Sequence, residues 1–402
     1  MKSLRELLIK GPGPSSSHTI GPYRITLDFL SKLQGKEISF VTVTLYGSLA
    51  LTGRGHFTDK IIIKALGTIP NKIVFDVKEK NLTHPNTMEL KADLKEGSVF
   101  IKRYVSLGGG AFKEENGSYL PKDIYPFTTF NGLKKYLKDN KEDDIYKVIV
   151  RIEGEEIERY AEDLLLSSFR TLENSLLYRG YLPGKLHLKC SSGEIVKKAM
   201  NIKDEAERRN LLLTGFAYAT SEANARGEEI VTAPTCGASG VVPSVLYYAY
   251  KYEGKSLSEL VKAYLAGALV CNFIKENASV SGALSGCQAE IGSASSFAAA
   301  SLAYLHHLSV HQIEYASEVA MEHFLGLTCD PVDGYVQIPC IERNGMATLH
   351  AYSAYLFAKD IAPLRRNRVS FDKVVEAMKS TGSELPSDLK ETSLGGLAKV
   401  IS

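Results

Sequence analysis

Strand-forming and helix-forming patterns occupy different parts of this chain, and that separation limits the folds open to it. Residues 37–45, 72–76 and 97–105 alternate around β-branched side chains, a pattern typical of β-strands. Turn-forming sequences lie between them, and a triple glycine follows at residues 108–110. The first third of the chain is therefore predicted to contain a sheet.

Helical patterns take over after about residue 155. Apolar side chains recur at helical spacing in residues 158–169, 198–225 and 257–274. The stretch at residues 291–313 is uncharged and rich in serine and alanine, and it contains three histidines. A membrane span needs about 20 mostly apolar residues, so this stretch is predicted to be one tightly packed helix of a soluble protein.

These patterns predict an α+β multidomain fold. The N-terminal domain, residues 1–155, is predicted to be α/β. The C-terminal domain, residues 156–402, is predicted to be all-helical.

The charge balance gives no electrostatic case for a nucleic-acid or membrane partner. Lysine and arginine total 48, aspartate and glutamate total 46, and the net charge is +2. The N-terminus lacks the apolar core of a signal peptide, so we expect a cytoplasmic protein. Six cysteines are too sparse for a disulfide scaffold, which leaves thiols, metal ligands or catalytic groups.

The first unusual segment, residues 11–22, has two Gly-Pro turns followed by four hydroxyl side chains around one imidazole. These five residues are Ser15, Ser16, Ser17, His18 and Thr19. A helix is predicted to begin near Pro22, and free N–H groups at a helix start bind carboxylates or phosphates. The alternative is an ordinary serine N-cap with no ligand.

A second segment, residues 46–59, follows a predicted strand and is rich in glycine. It contains His56, with Asp59 three residues further along the chain. A carboxylate at that spacing could orient or charge the imidazole. The alternative is a turn with an exposed histidine, since most loop side chains are simply solvated.

Three of the six cysteines have polar, glycine-containing or proline-containing surroundings: Cys287, Cys329 and Cys340. Their spacing matches neither a zinc knuckle nor the close cysteine run of ferredoxins. Spacing alone leaves open whether they meet in space. Cys271, in an apolar helical stretch, is predicted to be a buried small side chain.

Taken together, the segments resemble the iron–sulfur L-serine dehydratases, also called L-serine ammonia-lyases. The matching motifs are GPSSSHTIGP at residues 13–22, GSLALTGRGHFTD at 47–59, HPNTM at 84–88, SLGGG at 106–110, TAPTCGASG at 232–240, NASVSGALSGCQAEIG at 277–292, the segment 327–344, and TSLGGLA at 392–398. They run through the chain in the order of the family, with β-domain and α-domain signatures in one polypeptide.

The resemblance implies a [4Fe–4S] cluster held by Cys287, Cys329 and Cys340. Three thiolates leave one iron without a protein thiolate, and that iron can act as a Lewis acid on the hydroxyl of L-serine. Loss of the Cα proton and of the hydroxyl gives aminoacrylate, which hydrolyses to pyruvate and ammonia. An accessible iron also implies inactivation by oxygen.

The resemblance also implies roles for other residues. His56 is the expected base or proton relay, with Asp59 behind it, and His18 and Lys275 are the other expected catalytic residues. The expected substrate-binding residues are Ser15, Ser16, Ser17, Thr19, Thr235 and Asn277. A homodimer is a further expectation from the family.

The chain departs from the family pattern at two places. Cys236 stands where relatives typically have asparagine, which either changes the polarity of the pocket or offers a fourth sulfur ligand. Longer relatives carry a cysteine near the C-terminus, but no cysteine follows Cys340 here. Water, the terminal carboxylate or Ser402 is therefore expected at the fourth iron.

Several alternatives stay open at this point. The same chemistry could act on L-cysteine or L-threonine, because pocket contacts decide between such substrates. A non-catalytic serine sensor is possible, since the N-terminal domain resembles a regulatory domain of phosphoglycerate dehydrogenases, although a sensor needs no open iron site. A structural zinc protein would need a fourth ligand beside the three cysteines.

Overall fold

A computed structural model describes residues 1–119, 121–365 and 367–401. In the N-terminal part, the strands are β1 (Lys10–Pro12), β2 (Ile38–Tyr46), β3 (Asn71–Asp76), β4 (Thr87–Leu94), β5 (Val99–Gly108) and β6 (Ala111–Glu114). The helices there are α1 (Gly21–Ser31), α2 (Gly47–Thr52), α3 (Thr58–Leu66), α4 (Phe130–Asp139) and α5 (Ile145–Glu153).

The C-terminal part contains one strand, β7 (Glu229–Val231), in its described residues. Its helices are α6 (Glu156–Leu177), α7 (Ser192–Ala199), α8 (Glu205–Ala225), α9 (Val241–Tyr252), α10 (Leu257–Asn277), α11 (Gly282–Ser285), α12 (Ser293–Leu305), α13 (Val310–Glu322), α14 (Cys340–Asp360), α15 (Phe371–Glu384) and α16 (Gly396–Ile401). A β-rich N-terminal region and a helical C-terminal region confirm the predicted α+β fold class.

The N-terminal sheet has the strand order β3-β2-β4-β5-β6, in which only β2 and β3 run parallel. Alternate residues of β2, namely Val41, Val43 and Leu45, are fully buried. They pack against α1 and α3 in one apolar cluster. A strand with one buried face requires this period of two. The strand β4 was not predicted from the sequence.

The helical region packs around α12, which contacts α9, α10, α13 and α14. Nearly every residue of α12 is buried, and most are alanine or serine. Gly267 of α10 faces it so closely that a Cβ there would lie 2.6 Å from the carbonyl oxygen of Phe297. Small side chains therefore let these helices approach, as predicted.

The single helix predicted for residues 291–313 is wrong, because the chain forms α12 and α13 with a break between them. His307 adopts a left-handed conformation with φ 58° at the break. Ser309 then starts α13 with a capping box, in which its side chain and that of Gln312 each accept a bond from the other residue's backbone N–H. The predicted helix at residues 198–225 is likewise interrupted between α7 and α8.

The helical core also includes segments from the N-terminal part of the chain. Residues 1–8 and the helices α4 and α5 contribute buried side chains to the same apolar cluster as α10 and α12. A separate short ladder joins β1 to β7. The domain boundary predicted between residues 155 and 156 stays a prediction.

Among the described residues, α10 is the one helix long and apolar enough to cross a membrane by length and composition. In its most apolar window, 78% of the residues are buried inside the protein. A buried core helix passes the same test, so α10 has an ordinary structural role here.

Candidate active site

A tight helical turn at residues Ser16–Ile20 leads directly into α1. Ser15 caps it, because its hydroxyl accepts a hydrogen bond from the backbone N–H of His18 at 3.1 Å. All five residues of the predicted Ser15–Thr19 cluster are buried. The first N–H groups of a helix have no carbonyl partner within it, so this turn offers donors to an anion at the wall of a buried site.

The His18 ring is fixed by two hydroxyl groups. The hydroxyl of Ser48 donates to the carbonyl of Glu391 at 2.7 Å and therefore accepts from His18 Nε2 at 3.1 Å. His18 Nδ1 is then the bare nitrogen, and the hydroxyl of Ser17 donates to it at 2.9 Å. Burial, together with the neighbouring His56, holds the pKa of His18 well below its usual range. His18 is a neutral ring with both nitrogens occupied.

His56 presents a free nitrogen to the site. Its Nδ1 lies 2.9 Å from the carbonyl oxygen of Thr52, and a carbonyl only accepts, so Nδ1 carries the proton. Burial lowers the pKa of His56 to about 4. Its ring stacks on that of His18, with centroids 4.6 Å apart. The neutral ring therefore leaves the Nε2 lone pair free to accept a proton.

The three predicted cysteines line one cavity together with His56 and Ser15. The lining residues are Pro14, Ser15, His56, Gly237, Cys287, Glu290, Ile291, Cys329, Pro331, Val336, Cys340 and Glu391. Cys287 immediately precedes the helical turn Gln288–Gly292 that leads into α12, and Cys340 is the first residue of α14. The three cysteines are 42 and 11 positions apart in the chain, and the fold brings them to the same cavity.

The cysteines are electrostatically linked to each other and to an arginine. The thiol of Cys329 donates to the sulfur of Cys287, which lowers the pKa of Cys287 and raises that of Cys329. Arg343 lies close enough for its charge to act on all three sulfurs. Its guanidinium donates to Thr328 O at 2.7 Å and to Asp330 Oδ1 at 3.0 Å. Arg343 therefore ties the loop of Cys329 to the start of α14.

The residues of this cavity fit an iron–sulfur cluster in their chemistry. Gly282 leaves space there, because a Cβ at this position would lie 2.8 Å from Glu290 Oε2 and 3.1 Å from Cys329 Sγ. Across the part of the chain that the structure describes, no three His, Cys, Asp or Glu side chains surround a point where one metal ion could bind. A cluster binds each thiolate through a different iron, so its ligands are spread more widely than those of one zinc ion.

Glu391 lies at the centre of the site, although sequence reasoning missed it. Its Oε1 lies 3.4 Å from His18 Nδ1, 3.7 Å from His56 Nε2 and 3.5 Å from Ser17 Oγ. Burial, and to a smaller extent the charge of Cys287, raises the pKa of Glu391 to about 8. The residue directly precedes the recognised motif at residues 392–398, which is the only signal that could have pointed to it.

A second carboxyl group, that of Glu290, lies on the cysteine side of the cavity. Its Oε2 lies 3.9 Å from Cys329 Sγ. Burial and the charge of Glu391 raise the pKa of Glu290 to about 8, and the Thr235 hydroxyl opposes that rise. Thr235, a predicted substrate-binding residue, is thus buried beside this carboxyl group.

Asp59 does not orient His56, contrary to the prediction. Its carboxylate accepts from the backbone N–H of Lys60 at 2.9 Å. Phe57, between the two residues, has a left-handed backbone with φ 56° and immediately precedes α3. The chain therefore turns after His56, and the expected three-residue spacing does not bring the two side chains together.

Two predicted residues near the end of α10 also lie outside the cavity lining. Lys275 donates to the carbonyl oxygen of Glu6, and burial lowers its pKa to about 8. Asn277 donates to the carbonyl oxygens of Thr128 at 2.6 Å and Phe273 at 2.8 Å. Neither side chain is among the residues that line the cavity of the three cysteines. Ser402, expected near the fourth iron, lies outside the described residues.

Cys236 is not among the residues that line the cavity. It packs in a small apolar cluster with Ile20, Ala223 and Ile230. Its neighbour Gly237, not Cys236, lines the cavity. Burial raises the pKa of the Cys236 thiol. This position therefore serves as a small apolar packing residue, which does not support a fourth sulfur ligand.

Comparison with protein families assigns most of the chain. Residues 3–73 match the family model of the serine dehydratase beta chain. Residues 86–398 match that of the serine dehydratase alpha chain. The two matches include Ser15–Thr19 and His56 in the first region, and the three cavity cysteines in the second.

Curated relatives align with the chain over nearly its whole length. An L-serine dehydratase of Streptomyces coelicolor is 36% identical, with 98% of each chain covered. L-serine dehydratase 1 of Escherichia coli K12 is 35% identical, with 99% of each chain covered. An L-serine dehydratase of Helicobacter pylori is 35% identical, with 97% of each chain covered.

Proposed function

The chain belongs to the serine dehydratase family, and we propose that its cysteine cavity converts L-serine to pyruvate and ammonia with a [4Fe–4S] cluster bound. The observation that carries this proposal is the convergence of Cys287, Cys329 and Cys340 with the neutral His56 in one buried cavity. The full-length similarity to enzymes named L-serine dehydratase supports the same reaction.

Cys287, Cys329 and Cys340 would hold the cluster. When bound, it would supply a Lewis-acidic iron for the β-hydroxyl of the substrate. Thiolate is the soft ligand that such clusters use. Arg343 would offset part of the negative charge of three thiolates, because its guanidinium is always protonated.

The substrate carboxylate would bind at the start of the helical turn Ser16–Ile20. N–H groups at a helix start carry partial positive charge and attract anions. Ser15 lines the cavity at this point. The hydroxyl of Thr19 donates to the carbonyl oxygen of His56 at 2.8 Å, so the carboxylate site and the base are held together.

His56 Nε2 would remove the proton from Cα. The electron pair of that C–H bond forms the Cα–Cβ double bond as the Cβ–O bond breaks, and the proton taken up by His56 would pass to the departing hydroxide to form water. The resulting 2-aminoacrylate becomes the imine when Cβ gains a proton and the nitrogen loses one, and water converts the imine to pyruvate and ammonia. His18 would position His56 by stacking on it, since its own nitrogens are engaged.

Other properties expected from the family resemblance accompany this proposal. They are a homodimeric state, a cytoplasmic location and inactivation by oxygen. L-cysteine and L-threonine are the alternative substrates, because the same base and leaving-group chemistry applies to them.

The proposal is tested by purifying the protein without oxygen and then adding L-serine. We expect a brown protein with about four irons per chain that forms pyruvate. L-threonine and L-cysteine serve as parallel substrates, and a sample exposed to air serves as the control for oxygen sensitivity. An iron-loaded protein that leaves L-serine unchanged would contradict the substrate, and an iron-free protein that forms pyruvate would contradict the cluster.

A change at Cys236 tests which cysteines bind the cluster. We expect Cys236→Ala to keep the full iron content, because this side chain packs against Ile20 and Ile230. Loss of one buried sulfur should lower the free energy of unfolding by about 1 kcal/mol. Iron analysis and thermal unfolding measure the two effects. A variant that folds but loses iron would show that Cys236 is a ligand after all.

A further inference from the structure

We propose that the carboxylate of Glu391 binds the α-ammonium group of the substrate and thereby makes the enzyme specific for α-amino acids. The inference rests on the proposed function, because it assumes that L-serine occupies the cavity of the three cysteines. The helical turn at Ser16–Ile20 presents N–H donors, which are unsuited to bind an ammonium group. Glu391 would bind that part of the substrate instead.

Glu391 is anchored from both sides. Its backbone N–H donates to the carbonyl of Cys329 at 2.7 Å, and its carbonyl accepts from the hydroxyl of Ser48 at 2.7 Å. Ser393 then donates to the carbonyl of Pro331 at 2.6 Å. Glu391 has a left-handed backbone with φ 59°, which costs free energy for a residue other than glycine. These hydrogen bonds therefore hold the segment in place although its backbone is strained.

The carboxyl group of Glu391 has no cationic partner in the described part of the chain, although the hydroxyl of Ser17 lies 3.5 Å from Oε1. The nearest basic groups are the imidazoles of His18 and His56, at 3.4 Å and 3.7 Å from Oε1. Burial lowers the pKa of both rings, which favours their neutral forms. Oε2 is buried and has no hydrogen-bond partner among the described residues. A buried carboxylate is costly unless it is paired, and a bound ammonium group would supply the missing charge and donors.

The position of Glu391 relative to His56 matches the structure of an α-amino acid. The amino nitrogen is bonded to the same carbon that loses its proton to His56 Nε2. The ammonium group must therefore lie close to that ring nitrogen, and Glu391 Oε1 is 3.7 Å from it. Glu290, the other carboxyl group in the cavity, faces Cys329 at 3.9 Å instead. The geometry therefore favours Glu391 over Glu290.

The test compares two unreactive ligands that differ only in the amino group, L-alanine and propanoate. Each is measured as a competitive inhibitor of pyruvate formation from L-serine, using anaerobic, iron-loaded enzyme. In Glu391→Gln, we expect the preference for L-alanine over propanoate to fall about 10-fold or more, because a charge-assisted hydrogen bond is lost. The inhibition by propanoate should change little. Glu290→Gln is the matched control and should keep the preference.

Each outcome decides the inference. The inference would be overturned if inhibition by L-alanine and by propanoate weakened equally in Glu391→Gln. It would also be overturned if the preference for L-alanine were lost in Glu290→Gln and kept in Glu391→Gln. If Glu391→Gln lacks iron, Glu391→Asp is used in its place. We then expect L-alanine to inhibit more weakly and propanoate to inhibit as before. Equal weakening of both inhibitors would overturn the inference. A wild-type enzyme that forms no pyruvate from L-serine would instead count against the proposed function.

Discussion

Replacing Cys329 with serine is expected to remove the bound iron and to lower the rate of pyruvate formation by more than about 1000-fold. The serine side chain is nearly the same size, so packing around residue 329 should change little. Its oxygen is a much harder ligand than a thiolate and suits iron–sulfur clusters poorly. Iron and sulfide per chain, the visible spectrum and pyruvate formation measure the effect on anaerobically purified protein.

Cys271→Ser is the matched control for this substitution. Cys271 is fully buried, as Cys329 nearly is, but it lies within α10 among apolar side chains. We expect the control to lose some stability, since it buries a hydroxyl, and to retain about four irons per chain. If Cys329→Ser kept its iron and its activity, the three-cysteine assignment would be wrong. If both variants lost iron equally, the loss would reflect general destabilisation.

The segments that carry the site could be predicted because each has a local signature. The serine-rich turn, the glycine-rich loop of His56 and the cysteine segments are recognisable wherever they lie in the fold. The structure brings Ser15, His56, Cys287, Cys329 and Cys340 to one cavity. The convergence of these residues follows from the family resemblance and not from the spacing of the cysteines, which does not require it.

Asp59 and Lys275 lie outside the cavity lining for a common physical reason. Each lies near a predicted functional residue in the sequence. The left-handed backbone of Phe57 separates Asp59 from His56, and the end of α10 separates Lys275 from Cys287. Sequence distance is a poor guide to contact where the chain changes direction.

Glu391 shows the opposite case, a residue whose position depends on long-range contacts. The pairing of Cys329 with Lys390 brings the C-terminal segment to the cavity. No local pattern encodes that pairing, so a lone glutamate carries no signal beyond the glycine-containing motif that follows it. By contrast, the break between α12 and α13 could have been predicted from the capping box of Ser309 and Gln312.

His56→Gln is expected to slow pyruvate formation by about 100- to 10,000-fold, the usual contribution of a general base. Glutamine fills much of the same volume and stays polar, but it does not accept a proton at neutral pH. The proton that His56 Nε2 accepts makes the ring a cation, and Glu391 Oε1, 3.7 Å away, would stabilise it. The variant loses the group that accepts the Cα proton. Its cysteines are unchanged, so the iron content should stay at the wild-type level.

The chain offers a close control in His323. Its Nδ1 lies 2.9 Å from the carbonyl oxygen of Val319, four residues earlier, as His56 Nδ1 does with Thr52. His323 is not among the residues lining the cysteine cavity, so His323→Gln should stay within about twofold of the wild-type rate. Replacing the Cα hydrogen of L-serine by deuterium gives a second readout, because proton removal should limit the rate more strongly in His56→Gln and raise the isotope effect. A His56→Gln enzyme with full iron, a normal rate and an unchanged isotope effect would mean that another group removes the proton.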